Sequence, residues 1–400
     1  MKILYHHRTR SKDGQYVHIS ELISALRSLG HDVMVVAPAA MEHAKFGDDA
    51  GLVALLKRYV PHFAYEVMEF AYAFLAYLRL RRAVLSFRPD CLYERYSLFL
   101  PAGVWIKKAF GLPMLVEVNG PLFEERDRHE GGISLRRLAR WSQHYVWRSA
   151  DFVLPVTGVL AETVIAAGVA KERVRVIPNG IDPERFGNNS LSAPAAKAKL
   201  GLGDRLVLGF TGFVREWHGL DRVVDLVAER VDKDSGLHLL IVGDGPARET
   251  LQARARERGI VDRVTVTGVV DRDRVPDYVA AFDVALQPAV VPYASPLKLF
   301  EYLAMGRAIV APATPNILEV LNDGENAVLF DPDRPDGMPR AIERILNDGE
   351  LRRRVADGAR ATIARRKLTW GNNAQRVVEL FGRLLRPVPG AMDARGAERP

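Results

Sequence analysis

One short segment of this 400-residue chain, from Ser295 to Gly306, joins a helix start to two charged side chains. Ser295 can cap a helix, and Pro296 suits its first turn. A helix N-terminus presents free N–H groups and the positive end of its dipole, so the segment can bind a phosphate, to which Lys298 adds a cation. Glu301, one turn later, can accept hydrogen bonds from sugar hydroxyls. A diphosphate attached to a ribose would satisfy all of these groups, whereas the alternative is an ordinary helix start with a surface lysine.

A second candidate site follows a predicted strand that ends at Gly212. The loop after it carries Arg215 and His218 and enters a helix at Gly219. Glycine permits close approach of the backbone to a ligand, and the helix start again favours an anion. Arg215 could bind a diphosphate through two hydrogen bonds, and His218 could act as a donor or a partial cation. A packed loop with a surface arginine is the alternative, and the G-D-G-P turn at 243–246 is a weaker signal because such turns are common.

Polar side chains at predicted strand ends of the first half could contact a second ligand, which is called the acceptor below. Glu94, Arg95 and Tyr96 follow one strand, and Glu117 lies in the next, shortly before Asn119. Ligands of parallel α/β sheets bind at the carboxyl ends of the strands. The candidate acceptor contacts are Gly14, Gln15, Glu94, Arg95, Tyr96 and Glu117.

Length and composition restrict the possible classes of protein. The length predicts two domains, and the single cysteine, Cys91, excludes a disulfide framework and a cysteine-built metal site, which fits a reducing cytoplasm. The formal charge of +7 and isoelectric point near 9.4 favour anionic substrates or lipid head groups. Nucleic acid is a weaker candidate, because the arginines are scattered and no nucleic-acid motif accompanies them. The chain runs straight into a strand at Lys2, without the pattern of a signal peptide.

Short apolar runs alternate with helical periodicity along the chain, which predicts an α/β fold with parallel sheets. The predicted strands are Ile3–Tyr5, Val33–Ala37, Cys91–Tyr93, Met114–Val118, Phe152–Val156, Arg205–Phe210, Leu237–Val242, Val264–Thr267, Val284–Gln287, Ala308–Val310 and Val328–Phe330. The pattern restarts after a turn-rich run at 178–183, and the Ala/Pro-rich stretch Asn188–Lys199 is interpreted as a linker. We expect two doubly wound Rossmann-like domains facing a cleft, which is the default ligand site. Their predicted bounds are 1–180 and 181–368, followed by a helix at 369–387 and a disordered tail at 388–400.

The segment Arg58–Arg82 departs from this pattern, because it is apolar nearly all round and ends in Arg79, Arg81 and Arg82. A transmembrane span is not expected, since acidic residues interrupt it and its apolar runs are well short of about 20 residues. Two interpretations stay open: a buried helix of the first domain, and a helix that docks on a membrane with aromatic side chains at the interface and arginines on the head groups.

Two aspartate pairs could suggest a metal site of the D-x-D type. They are Asp271-Arg272-Asp273 and Asp331-Pro332-Asp333, and both lie within the pattern of the second domain. Such pairs arise often by chance, so both are interpreted as structural, and no metal is expected.

Four motifs, in this order, resemble those of retaining glycosyltransferases of family 4, which have the GT-B fold. They are E-R-V-R-V-I-P-N-G-I-D-P-E-R-F at 172–186, F-T-G-F-V-R-E-W-H-G-L-D at 210–221, I-V-G-D-G-P at 241–246 and S-P-L-K-L-F-E-Y-L-A-M-G-R-A-I-V-A-P at 295–312. The resemblance spans nearly the whole chain and is strongest in the second half. It implies a nucleotide-sugar donor bound by the C-terminal domain, transfer with retained anomeric configuration, no required metal and a last helix, Thr369–Leu385, that crosses back to the first domain.

The chain departs from the family pattern at four positions. Glu301 matches the second glutamate of the family's Glu-x7-Glu pair, which is expected to bind the ribose, but Tyr293 replaces the first. Phe213 and His218 stand where many members place Arg and Lys on the phosphates, so Arg215 and Lys298 could supply the charge instead. Asn119 takes the place of a frequent histidine.

The resemblance therefore implies a site in three parts. Arg215, Lys298 and Asn119 are the expected catalytic residues. The expected donor contacts are Gly212, Phe213, His218, Gly219, Gly243, Asp244, Gly245, Val269, Ser295, Pro296, Leu297, Leu299 and Glu301. The expected function is transfer of a hexose from a UDP- or GDP-linked sugar to a hydroxyl, with a lipid-linked glycan of cell-surface polysaccharide assembly as the acceptor and a cytoplasmic, peripheral-membrane location. A non-catalytic homologue that binds sugar nucleotides is the alternative, and a sugar-nucleotide epimerase is a third candidate for which the first half offers no convincing acid/base pair.

Overall fold

The computed structural model describes residues 1–9, 14–38, 60–129, 132–188, 191–230 and 236–386. The chain divides into two compact units, one of Met1–Ile177 with the segment from Gly371 onward, and one of Pro178–Trp370. This division falls close to the boundary expected between residues 180 and 181. The tail expected to be disordered, 388–400, lies outside the described residues.

The first unit contains a five-stranded parallel sheet of order β2-β1-β3-β4-β5. Its strands are β1 (Lys2–His6), β2 (Asp32–Val36), β3 (Cys91–Arg95), β4 (Met114–Val118) and β5 (Phe152–Pro155). Its helices that precede the second unit in the chain are α1 (Gly14–Ser28), α2 (His62–Phe87), α3 (Ala102–Phe110), α4 (Leu122–His129), α5 (Arg136–Ser149) and α6 (Gly158–Ala166). Every residue of β3 and β4 is buried, as expected for parallel strands covered on both faces. The strand order reverses beside β1, so β1 and β3 end at the edge where such sheets bind ligands.

The second unit contains a six-stranded parallel sheet of order β11-β10-β9-β6-β7-β8. Its strands are β6 (Leu206–Thr211), β7 (Leu237–Val242), β8 (Val264–Val266), β9 (Val284–Leu286), β10 (Ala308–Pro312) and β11 (Val328–Phe330). Its helices are α7 (Ala193–Lys199), α8 (Leu220–Arg230), α9 (Arg248–Glu257), α10 (Val275–Ala280), α11 (Leu297–Ala304), α12 (Pro315–Leu318), α13 (Gly337–Asn347) and α14 (Gly349–Arg366). The strand order reverses between β6 and β9, which places the expected ligand edge beside the ends of these two strands.

The predicted fold class is confirmed, and each predicted strand has its counterpart within one or two residues at either end. The interpretation of Asn188–Lys199 as a linker is wrong for its second part, which forms α7. The Ser192 hydroxyl caps this helix by accepting a hydrogen bond from the Ala195 N–H, and a proline lies in its first turn. Ala196 is fully buried, so the small residues pack rather than connect.

The last helix, α15 (Trp370–Leu385), begins at the final residue of the second unit, and from Gly371 onward it belongs to the first unit. Its buried residues include Ala374, Val377 and Phe381. Short 3-10 turns lie at Lys171–Arg173, Glu216–His218, Val261–Arg263 and Arg272–Arg274, and a π turn lies at Glu184–Asn188.

Helix α2 contains the aromatic segment from His62 onward and has two different faces, while Arg58 and Tyr59 lie outside the described residues. Its buried face consists mainly of small residues, together with Leu80 and the carboxylate of Glu66. Glu66 accepts hydrogen bonds from the backbone N–H groups of Ser134 and Leu135, and so satisfies the start of α5. Large apolar residues of the other face are between 48% and 58% exposed: Phe63, Val67, Met68, Phe74, Leu75, Leu78 and Leu85. Among the described helices, α2 included, none is long and apolar enough to cross a membrane.

Candidate active site

The start of helix α11 is held by a residue that sequence reasoning did not select. The Asn179 N–H donates to Ser295 Oγ over 3.1 Å, and Asn179 Nδ2 donates to the Ser295 carbonyl oxygen. The sequence had suggested Ser295 as the cap of this helix, and in the structure Ser295 does not have that role. Pro296 takes the cap position, and no side chain of the described residues caps it. The first N–H groups of α11, beginning with Leu297, thus keep the capacity to bind an anion. The only sequence signal for Asn179 was its place in the P-N-G turn.

Lys298 lies beside Gly212 at the end of β6. Its Nζ is 3.8 Å from the ring centre of Phe210, and a Cβ added to Gly212 would come within 3.1 Å of Nζ. Gly212 also has a φ of +122°, which side-chain-bearing residues rarely adopt. Burial lowers the pKa of Lys298 to about 7, and the opposing charge of Glu301 offsets only part of this effect. The amine therefore titrates near neutrality and would gain its full charge when an anion binds.

His218 is a neutral imidazole that shapes its own loop. Its Nδ1 accepts a hydrogen bond from the Arg215 N–H over 3.1 Å, and the ring is buried against Phe210. Burial and, secondarily, the charge of Lys298 lower the pKa of His218 to about 3. In the free protein the imidazole is therefore neutral, which argues against a partial cation at this position, and donation from Nε2 stays a proposal. The Arg215 side chain is exposed, with its guanidinium 5.1 Å from the ring centre of Phe213.

The G-D-G-P turn supports the first loop through its backbone. A Cβ added to Gly243 would lie 2.1 Å from the carbonyl oxygen of Gly212, and one added to Gly245 would lie 2.2 Å from that of Val214. The Val214 N–H donates to the carbonyl oxygen of Asp244. The Asp244 carboxylate is occupied by the Gly245 N–H and by the Arg248 guanidinium. The packing of the two loops thus explains both glycines without a ligand.

Glu301 is buried and forms an ion pair with Arg272, which the sequence had placed in a structural aspartate run. The Arg272 guanidinium also lies 4.8 Å from the ring centre of Phe186. This contact places a cation beside the carboxylate expected to bind the ribose. Sequence reasoning missed Arg272 because it lies between Asp271 and Asp273, in a run that was interpreted as structural. No group of three or more His, Cys, Asp or Glu side chains that could hold a metal occurs among the described residues.

The remaining expected donor contacts divide by exposure. Phe213 and Val269 are largely exposed, and Gly219 ends a 3-10 turn at a φ of +67°. The side chain of Leu299 is buried in the hydrophobic core, so a role in donor contact through that side chain is wrong. Its position in the first turn of α11 points it inward, while Lys298 on the neighbouring face lies against Gly212.

A pocket of about 130 Å³ lies at the carboxyl ends of β9 to β11 and the start of α8. Its lining residues are Trp217, His218, Gly219, Arg222, Pro288, Ala289, Val290, Pro312, Thr314, Phe330, Pro332, Arg334 and Met338. Its position is the edge at which open parallel sheets bind ligands.

The first unit buries a separate polar cluster at its own ligand edge. The Glu117 carboxylate accepts hydrogen bonds from Tyr93 Oη at 2.8 Å, His18 Nε2 at 3.0 Å, Asn119 Nδ2 at 2.5 Å and the guanidinium of Arg95. Burial alone would raise the pKa of Glu117, but the charges of His18 and Arg95 and the hydrogen bonds hold it well below its ordinary value. Glu117 is therefore ionised inside the fold.

Several other expected acceptor contacts also face inward. Glu94 is fully buried and accepts a hydrogen bond from His6 Nδ1 over 2.9 Å. The hydroxyl of Tyr96 donates to Gln143. Glu94, Arg95, Tyr96 and Glu117 are all buried, so direct contact of their side chains with an acceptor does not fit this conformation. Gly14 and Gln15, at the start of α1, are exposed, and Asn119 is half-buried.

Comparison with known proteins places the chain in a family. Residues 193–362 match the family model described as "Glycosyl transferases group 1", and residues 13–180 match the one described as "Glycosyl transferase 4-like domain". A curated relative, alpha-D-kanosaminyltransferase of Streptomyces kanamyceticus, is 25% identical over 259 residues, which cover 64% of this chain and 66% of that protein. The chain spans about half to two thirds of the length of the first curated relatives it matches.

Two solved structures resemble this chain over almost its full length. Anabaena HepE in complex with UDP has a TM-score of 0.72 at 18% identity, and the match covers 96% of this chain and 100% of that one. Sucrose-phosphate synthase from Thermosynechococcus elongatus has a TM-score of 0.75 at 19% identity, covering 96% of this chain and 99% of that one. Together with the two parallel sheets, the two domain matches show that this chain belongs to the GT-B glycosyltransferases of the family 4 type.

Proposed function

We propose that this protein transfers a hexose from a nucleoside-diphosphate sugar to a hydroxyl acceptor with retention of anomeric configuration. The observation that carries the proposal is the arrangement in the second unit, where Lys298 lies against Gly212 and Glu301 follows one turn later on α11. A diphosphate would meet the ammonium group and the uncapped N–H groups of the helix, and a ribose would meet the carboxylate. A solved structure of the Anabaena neighbour contains UDP-glucose, which supports a donor of this class.

The proposed chemistry is electrostatic stabilisation of the leaving group. The bond between the anomeric carbon and the phosphate oxygen breaks, and a bond from the acceptor oxygen to the same carbon forms. No protein nucleophile takes part in this proposal. The proton of the acceptor hydroxyl passes to an oxygen of the leaving diphosphate. Lys298, the N–H groups of Leu297 and Lys298, and the exposed Arg215 neutralise the charge that develops on that diphosphate. We expect these cations to do this without a bound metal.

The test is a panel of UDP- and GDP-linked sugars, with released nucleotide and glycosylated product detected by mass spectrometry. We expect one donor to support transfer, with turnover unchanged by EDTA and with the product in the anomeric configuration of the donor. Lost activity that Mg²⁺ or Mn²⁺ restores contradicts metal independence, and an inverted product contradicts retention. Binding of a nucleotide sugar without any release of nucleotide would support the non-catalytic alternative, for which the best arguments are Tyr293 in place of the first family glutamate and Asn119 in place of the frequent histidine.

We also propose that α2 docks the protein on an anionic membrane surface, where a lipid-linked glycan is the acceptor. Phe63, Val67, Phe74, Leu78 and Leu85 follow helical spacing along one exposed side of α2. An exposed apolar strip of this length is unusual for a surface that meets only water.

The charges next to this strip support a lipid surface as its partner. Arg79, Arg81 and Arg82 are exposed near the C-terminal end of the same helix. The two acidic residues of the helix point away from them: Glu66 holds the start of α5, and Glu69 pairs with Arg8 and Arg126. The outer face therefore combines apolar side chains with arginines that neither acidic residue of the helix contacts, as helices that lie in the interface plane do.

A further inference from the structure

We propose that Glu117 is a positioning residue that fixes the side-chain amide of Asn119, so that Asn119 offers a hydrogen-bond acceptor to a sugar hydroxyl. The inference rests on the proposed function and concerns the ligand edge of the first unit. It states which end of the side-chain amide, the oxygen or the NH₂ group, is available to a ligand. Many members of the family have a histidine at this position.

The geometry determines which atom of Asn119 is available. Asn119 Nδ2 donates to Glu117 Oε1 over 2.5 Å, and the same oxygen accepts from Arg95. A carboxylate accepts hydrogen bonds and cannot donate when it is ionised, so only the NH₂ end of the amide can face it. Oδ1 of Asn119 must then point the other way. Within the described residues no hydrogen-bond donor reaches that oxygen, and it is not buried.

The surroundings make this orientation stable. Glu117 is ionised, because His18 and Arg95 hold its pKa far below the ordinary value. Its other oxygen is occupied by Tyr93 and His18, so the carboxylate cannot turn away without leaving buried donors unsatisfied. Donors from α1, β3 and the end of β4 thus fix one carboxylate, and the carboxylate fixes one amide.

An outward acceptor selects the chemistry of its partner. The Asn119 oxygen can accept from a hydroxyl or an amine but repels a phosphate or carboxylate oxygen. Among these hydrogen-bond donors, hydroxyl groups are the ones that the sugars of a glycosyltransferase substrate carry in the largest number. We therefore assign Asn119 to a hydroxyl of a bound sugar, and Glu117 to the orientation of Asn119.

The first test observes the amide directly in the full-length protein. With selective ¹⁵N-asparagine labelling, the Asn119 side-chain signals are identified by their loss in Asn119→Leu. We expect one Nδ2 proton to be shifted downfield and to exchange slowly with water, as for a hydrogen bond to a charged acceptor. Tyr93→Phe, which removes a different donor to Glu117, should leave these signals in place. Signals at the positions of a freely exposed amide in the wild type would overturn the inference.

The second test uses transfer with the donor identified by the nucleotide-sugar panel. Asn119→Leu should lower kcat by roughly tenfold or more in protein that stays folded at the assay temperature, as for loss of one hydrogen bond to the sugar. Asn119→Asp should also lose activity, because it places a second carboxylate against Glu117.

Glu117 itself is tested by a pair of substitutions. Glu117→Ala releases the amide and should lower kcat. Glu117→Gln should recover most of that loss, since its carbonyl oxygen can still accept from both Arg95 and Asn119. Equal losses in Ala and Gln would mean that only the charge matters and would overturn the positioning role, and so would wild-type kcat in Asn119→Leu. A wild type that transfers no sugar contradicts the proposed function and the ligand role of Asn119 together, while the amide signals still decide the Glu117 contact.

Discussion

The ammonium group of Lys298 occupies the space in which a side chain at residue 212 would begin, because a Cβ added to Gly212 would come within 3.1 Å of its Nζ. A glycine on one loop and a lysine on a helix are thus parts of one site. The second glycine loop packs against the first through Gly243 and Gly245.

We predict that Gly212→Ala lowers turnover at least tenfold. The new methyl group must displace Lys298, and the φ of +122° adds backbone strain of about 1–3 kcal/mol. Gly259→Ala is the matched control, since Gly259 also has positive φ but no atom within 4 Å of its added Cβ. Equal activity of both variants would show that the contact with Lys298 has no consequence.

Replacement of Lys298 by Ala should lower turnover by roughly 10²-fold, as for loss of one group that stabilises a developing charge. Lys199→Ala, which removes an exposed lysine paired with Asp277, should leave turnover unchanged. Steady-state kinetics at saturating donor measure both. Wild-type turnover in Lys298→Ala would exclude the lysine from the reaction.

Binding of a nucleotide sugar should weaken as the pH rises through about 7. Burial lowers the pKa of Lys298 to about 7 in the free protein, so the cation is present below this pH and is lost above it. The sugar-linked diphosphate has no ionisation of its own near neutrality, and its charge raises the pKa of the bound amine. Calorimetry in buffers of different ionisation enthalpy should therefore detect proton uptake on binding above pH 7. Lys298→Arg, whose side chain stays charged, should remove this uptake.

Glu301→Ala should weaken nucleoside-diphosphate binding by about 1.5–3 kcal/mol, because a charged acceptor of the ribose hydroxyls is lost. Isothermal titration with UDP and GDP measures this change. Glu325→Ala removes a surface carboxylate paired with Arg365 and serves as the control. Unchanged affinity in Glu301→Ala, with the fold intact, would reduce Glu301 to the partner of Arg272.

Joint replacement of Arg79, Arg81 and Arg82 by Gln should weaken co-sedimentation with anionic vesicles by about two orders of magnitude, since each arginine contributes about 1 kcal/mol near such a surface. High salt should weaken binding of the wild type in the same way. The matched control is the triple Gln variant of the exposed Arg256, Arg353 and Arg366, which changes the net charge equally. A wild type that stays in the supernatant at low salt excludes membrane docking, and a concentration-dependent dimer under these conditions would identify a second copy as the partner of α2.

Much of the fold could be predicted because it depends on local patterns. Apolar runs of strand length, helical periodicity and glycine turns predicted the strands and the two-domain α/β class, since parallel strands covered on both faces have a recognisable composition. The spacing within 295–306 likewise predicted that Lys298 and Glu301 share one helix. The linker interpretation of 188–199 failed because a capping serine and small residues can also form a packed helix.

Contacts between distant segments were decided only by the tertiary structure. Asn179 meets Ser295 across 116 residues of sequence, and Arg272 meets Glu301 across 29. Burial also changed the chemistry of side chains that the sequence presented as polar, since His218 is neutral and Glu117 is enclosed by four donors. The sequence by itself determined which residue types lie at the strand ends and helix starts. Which of them face a ligand and which satisfy one another depends on packing, because desolvation and partner distance are properties of the folded chain.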